Sequence, residues 1–139
     1  MINGKAVLGA AVGVLAAVGV DAAIGRRAPR HRVALHAAGL ATAAAVYPVA
    51  RSERPASVPV ARELLALLGF GAVSAVAARE ASGRGARLAA AGWLGHAVFD
   101  LVHHAGPHSR LPGWYPAFCA GYDVAVAATL LRRAPAAPV

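Results

Sequence analysis

Ligating and ionisable side chains are sparse in this chain except between residues 93 and 123, which hold four of its 6 His, two of its three Asp and its 1 Cys. An α-helix turns about 100° per residue, so His96, Asp100 and His103 fall in one stripe, with His104 beside it. Asp123 returns on the next apolar segment, preceded by Cys119 and Tyr122, after a Gly/Pro-rich turn from Gly106 to Gly113. If the two segments run antiparallel, His96 meets Asp123 at one depth and Asp100 meets Cys119 one turn further out. Imidazole and carboxylate together suit Zn, Fe, Mn or Cu better than a soft thiolate cage does. The chemistry this spacing points to is therefore a divalent transition-metal site. Its candidate ligands are His96, Asp100, His103, His104 and Asp123, with Cys119, Tyr122 and Trp93 in support. An open coordination position would let the ion activate water or bind a substrate, which admits a lipid-directed hydrolase or oxidoreductase; the sequence does not decide whether the protein is an enzyme.

Two other readings use the same residues. In a structural network, His96 pairs with Asp123, and Asp100 with His103 or His104, locking one helix to the next. In a proton relay or small transporter, chained Asp and His carry protons through the spans. All three place these groups away from lipid, because an ionisable side chain within a span costs roughly 2.5 kcal/mol or more on insertion scales.

The elements that must position these residues are apolar. The 139-residue chain is 58% hydrophobic and 14% charged, against about 25% charged in soluble domains. The predicted fold is all-α, a single integral membrane bundle of about five short transmembrane helices at 6–24, 33–49, 60–78, 88–104 and 116–131, with a disordered tail at 134–139. The first run has about the length needed to cross a bilayer core. It reads as a retained helix and not a signal peptide, since it has one Lys before it, four Arg after it and no small-residue cleavage site. Gly9-x-x-x-Gly13 gives it a face suited to close helix packing, a route to oligomerisation. Pro59 suits the first turn of the third helix. Tyr47-Pro48 ends the second, and Arg79, Glu80, Arg84 and Arg87 sit around Gly83 and Gly85 in a flexible loop.

The net charge of +8 is accounted for by topology, because the basic residues lie between the apolar runs. Nine of them fall on one side of a five-span arrangement and five on the other. By the positive-inside rule the amino terminus faces out and the carboxyl terminus faces the cytoplasm of a bacterium. His103, His104 and His108 then lie near the outer surface, with Trp114 and Tyr115 at the interface. The partner is the lipid bilayer; nucleic acid is not expected. One Cys excludes an internal disulfide, and phosphate-loop, serine-elbow and paired-Cys motifs are lacking. Asp21 is expected to pair with Arg26 or Arg27, His36 to be interfacial, and His31 and His108 to be loop residues.

The pattern Trp93-x-x-His96-x-x-x-Asp100-x-x-His103-His104-x-Gly106, followed by Pro112, Cys119 and Asp123, resembles a family of small bacterial multi-pass membrane proteins of unknown function. The resemblance covers about the last third of the chain, and its turn departs from the family pattern at residues 113 to 116. It implies the membrane class and a polar site, and no activity.

Overall fold

The computed structural model describes residues 4–80 and 83–134. These form five α-helices and no strand: α1 Gly4–Arg27, α2 Arg32–Val49, α3 Val58–Arg79, α4 Gly83–Val102 and α5 Tyr115–Arg133, with a 3₁₀ turn at Pro29–His31 between α1 and α2. The tail expected to be disordered lies, apart from Ala134, outside the described residues. Pro59 and Pro116 stand in the first turns of α3 and α5, where a missing N–H costs nothing. Helix α2 ends one residue after Pro48.

The other helices run one to three residues beyond most of their expected bounds, and both bounds of α4 shift with consequences. Helix α4 starts at 83, so Arg84 and Arg87 are helical and not part of a flexible loop. Gly85 explains the extension: a Cβ there would meet the Ala77 and Glu80 carbonyls, so the glycine lets the start of α4 pack tightly on the end of α3. The same helix ends at Val102 and not at 104. Gly106 takes a positive φ of 75°, a left-handed conformation that glycine reaches freely, and the chain turns away.

Helix α4 is the central element. It packs against α5, α3 and α2, while α1 packs on α5 and α2 on α3. The core is built mostly from small residues, with Ala37, Ala89, Ala90 and Ala127 fully enclosed around Leu40, Trp93, Val126 and Leu130. Small side chains let the backbones approach closely. The Gly9–Gly13 face is used inside the chain, against Trp114 and against Phe118 and Tyr122 of α5. On the α5 side, a Cβ on Gly121 would collide with the backbone of Ala10. Gly121→Ala is therefore expected to destabilise by about 1–3 kcal/mol through overpacking. Gly69→Ala, with open space around its Cβ, should be neutral or slightly stabilising through helix propensity. Thermal unfolding of the two variants in one detergent checks the contrast, and equal midpoints would contradict the packing.

Among the described residues two helices, α1 and α3, are long and apolar enough to cross a membrane. They expose Leu8, Leu15, Leu65 and Leu68, each about two-thirds accessible. α4 carries Arg84, Arg87, His96 and Asp100, and α5 carries Asp123, Arg132 and Arg133, which lowers their hydropathy.

Candidate metal centre

His96 and Asp100 are one turn apart on α4, and Asp123 faces them from α5; each is 1% exposed. The antiparallel packing of α4 on α5 sets this register. The His96 Nδ1–H donates to Asp123 Oδ2 at 2.8 Å, and Asp100 Oδ2 lies 3.3 Å from the same nitrogen. One ligand atom from each residue falls within 4.8 Å of the other two. Two donors about 2.1 Å from a tetrahedral ion sit about 3.4 Å apart. The His96–Asp100 spacing is already close to that value, and the His96–Asp123 pair needs to open by about 0.6 Å.

Hydrogen bonding within the cluster is incomplete. Both Asp100 oxygens, His96 Nε2 and the Tyr47 hydroxyl are buried without a hydrogen-bond partner. Tyr47 is the neighbour of Asp100 in this group. Buried polar groups are ordinarily satisfied, and each exception calls for an explanation. Here two carboxyl groups share one imidazole in a setting where unpaired charge is expensive.

The structure separates the other sequence candidates from this centre. His103 was expected on the His96 stripe, pointing towards Asp123. It lies just beyond the end of α4, and its Nε2–H donates to Glu63 Oε1 of α3 at 2.8 Å. Its ring stacks on Phe99 at 4.6 Å and meets Tyr47 edge-on at 5.1 Å. Glu63 redirects it. His104 is exposed, its Nδ1 3.1 Å from the backbone oxygen of Val102, and it is no part of the cluster. Cys119 is buried on α5 one turn before Asp123 and lies outside the three-residue ligand group. Tyr122 packs its ring on Trp93 at 5.6 Å, and the Trp93 indole N–H donates to the His36 carbonyl at 3.1 Å. Trp93 and Tyr122 therefore brace α2, α4 and α5 around the centre.

Two further polar clusters bracket this one. Arg51 donates to both Glu63 oxygens at 2.6 Å and to the Ala105 carbonyl at 2.8 Å, which makes a buried Arg51–Glu63–His103 group at the end where α3 begins. The two loops at that end are also joined through backbone: Ser52 N–H to the His108 carbonyl at 2.9 Å and Arg110 N–H to the Ala50 carbonyl at 3.0 Å. At the opposite end, Asp21 pairs with Arg32 of α2 and not with Arg26 or Arg27 as expected. Arg32 Nη1 reaches both oxygens, at 2.8 and 2.9 Å. His36 Nε2 is 3.1 Å from Asp21 Oδ1. His36 is therefore buried, 1% exposed, and not interfacial. Asp21 and Arg32 lie on consecutive helices, so the short turn between α1 and α2 folds one onto the other. His108 is in a loop, as expected, 3.4 Å from Glu53.

Comparisons of the chain with known protein families, with curated proteins and with solved structures find no match.

Proposed function

We propose that this chain is a multi-pass membrane protein that binds a divalent transition metal ion through His96, Asp100 and Asp123. The observation that carries the reading is Asp100, buried beside a second carboxyl group, with neither oxygen hydrogen-bonded and one of them 3.3 Å from His96 Nδ1. A divalent cation balances two carboxylates and takes up those lone pairs. A purely structural network accounts for the His96–Asp123 bond, yet offers Asp100 only a 3.3 Å approach to a nitrogen already bonded to Asp123. A relay must continue inwards from His96, where the next turn of α4 presents Trp93, an indole bonded to backbone. Three protein ligands leave a coordination position for water or substrate, near which the Tyr47 hydroxyl stands unpaired. A bound Zn, Fe, Mn or Cu ion would supply Lewis acidity there. The residues' own part is to fix the ligand geometry and exclude bulk water. Because His96 Nδ1 must exchange its proton for the ion, loading weakens as pH falls.

In this reading all five helices sit in a bacterial cytoplasmic membrane. The apolar faces of α1 and α3 meet lipid, and α4 and α5 keep their ionisable groups inside. The amino terminus is outside, because the basic residues concentrate at the opposite end. Membership of the small multi-pass family whose signature the chain resembles is part of the same proposal. Elemental analysis of detergent-purified, chelator-free protein tests the centre: close to one equivalent of Zn, Fe, Mn or Cu is expected in the wild type, and its absence would set the metal reading aside. For the topology, a carboxyl-terminal reporter fusion should report the cytoplasm, and an external signal would reverse the orientation.

A further inference from the structure

The ligand position of the metal centre has a neighbour on its α3 side. A cleft of about 810 Å³ runs between α3 and α4, within the size range of small-molecule sites. It is lined mainly by apolar groups, among them Phe70, Val73, Val98 and Phe99, with Gly69 and Gly95 hollowing its walls. Arg62 and His103 stand at one end. Arg62 is exposed, and no ion pair or hydrogen bond occupies it among the described residues. His103 is 7% exposed and its Nδ1 has no partner. From Arg62 to Val73 along α3, at about 1.5 Å per residue, the cleft extends roughly 16 Å. That is half of a hydrocarbon core about 30 Å thick, the depth of one leaflet.

From this combination we infer that the α3–α4 cleft binds an anionic phospholipid of the outer leaflet, with its phosphate at Arg62 and an acyl chain lying along Phe70 and Phe99 towards Val73. An apolar trough one leaflet deep fits an acyl chain, and a single unpaired guanidinium at the interface end fits a phosphate. The site adjoins the metal centre: the Phe70 ring is 5.1 Å from the His96 ring, so one aromatic layer separates the lipid from the ligand set. This inference rests on the membrane reading above and does not require the metal.

The test is native mass spectrometry of the full chain, purified in a neutral detergent and supplied with equal phosphatidylglycerol and phosphatidylcholine, with metal content measured on the same samples. Wild type should retain one phosphatidylglycerol in preference to phosphatidylcholine. Gly69→Trp, placed where an added Cβ meets nothing within 4 Å, fills the cleft and should cut retention at least about tenfold with metal content unchanged. Arg62→Gln should erase the preference for the anionic lipid and leave the fold intact. Wild type that retains no lipid, or a Gly69→Trp protein that retains as much as wild type, overturns the inference. So does retention without headgroup preference. Loss of metal from every sample with lipid retained would remove the metal reading and leave this site standing. A chain that is a soluble monomer without detergent would remove the membrane reading and this site together.

Discussion

Asp100→Asn is expected to abolish metal loading and to reverse sign between metal-bound and metal-free protein. Asp100 contributes one of three ligand atoms that lie within 4.8 Å of one another. Even partners one shell further out cost 10–100-fold in affinity when removed, so loss of a ligand should cost about 100-fold or more. Binding stabilises the folded state by about 2.7 kcal/mol when the free ion is at a hundred times its Kd, and the variant should gain none of this. In chelator the order inverts. Two buried carboxylates repel, and replacing one with a neutral amide relieves that repulsion, so Asp100→Asn should melt above metal-free wild type. Asp123→Ala removes a ligand and also the acceptor for His96 Nδ1, so it should lose metal and, in chelator, fall below wild type by about 1–3 kcal/mol. Thermal unfolding in detergent, with and without chelator, reads all four states. If wild type melts at the same temperature in both and carries no metal, the cluster is a structural network.

How much of this centre can be read from the sequence depends on the range over which each contact is determined. His96 and Asp100 share a face because they are four residues apart on one helix, a local consequence of helix geometry, and Asp123 meets them because the Gly/Pro-rich connection at 103–114 brings the next helix back antiparallel. His103 also shares that face by spacing, but its side chain goes to Glu63, forty residues earlier on α3. No periodicity in the chain announces that pairing. Charge near an apolar run reads as topology, so Arg51 and Glu63 look like headgroup residues until the loops are brought together. The start of α4 is hidden for a related reason. Gly83, Arg84 and Gly85 have loop composition, and the helix forms there because Gly85 fits against the Ala77 and Glu80 carbonyls, a tertiary contact that outweighs the cost of glycine in a helix. His36 looks interfacial by its position near a helix start. It is buried because α1 supplies Asp21 and α4 caps its carbonyl with Trp93.

Glu63→Ala should produce the largest loss of stability of any single substitution outside the metal centre, about 3–5 kcal/mol, the cost of leaving a buried charge without its partner. The Arg51 side chain is 2% exposed and the Glu63 side chain 1%, and removal of the carboxylate leaves the guanidinium with only the Ala105 carbonyl and His103 with no acceptor. Arg51→Ala should cost a comparable amount, since it leaves Glu63 with only His103 and unfastens the 50–57 loop from the Ala105 carbonyl. Both variants should retain metal once folded, because the group touches none of the three ligands. The paired replacement Arg51→Met with Glu63→Leu is the informative control. Apolar side chains of similar volume in place of a buried ion pair are often neutral or stabilising, so the double variant should recover most of what either single loses, less the contribution of the orphaned His103. Recovery to near wild type would assign the cost to stranded charge. A double variant as unstable as the singles would instead show that the loop needs the Arg51 bond to Ala105, and that the ion pair acts as the clamp joining the α2–α3 and α4–α5 loops.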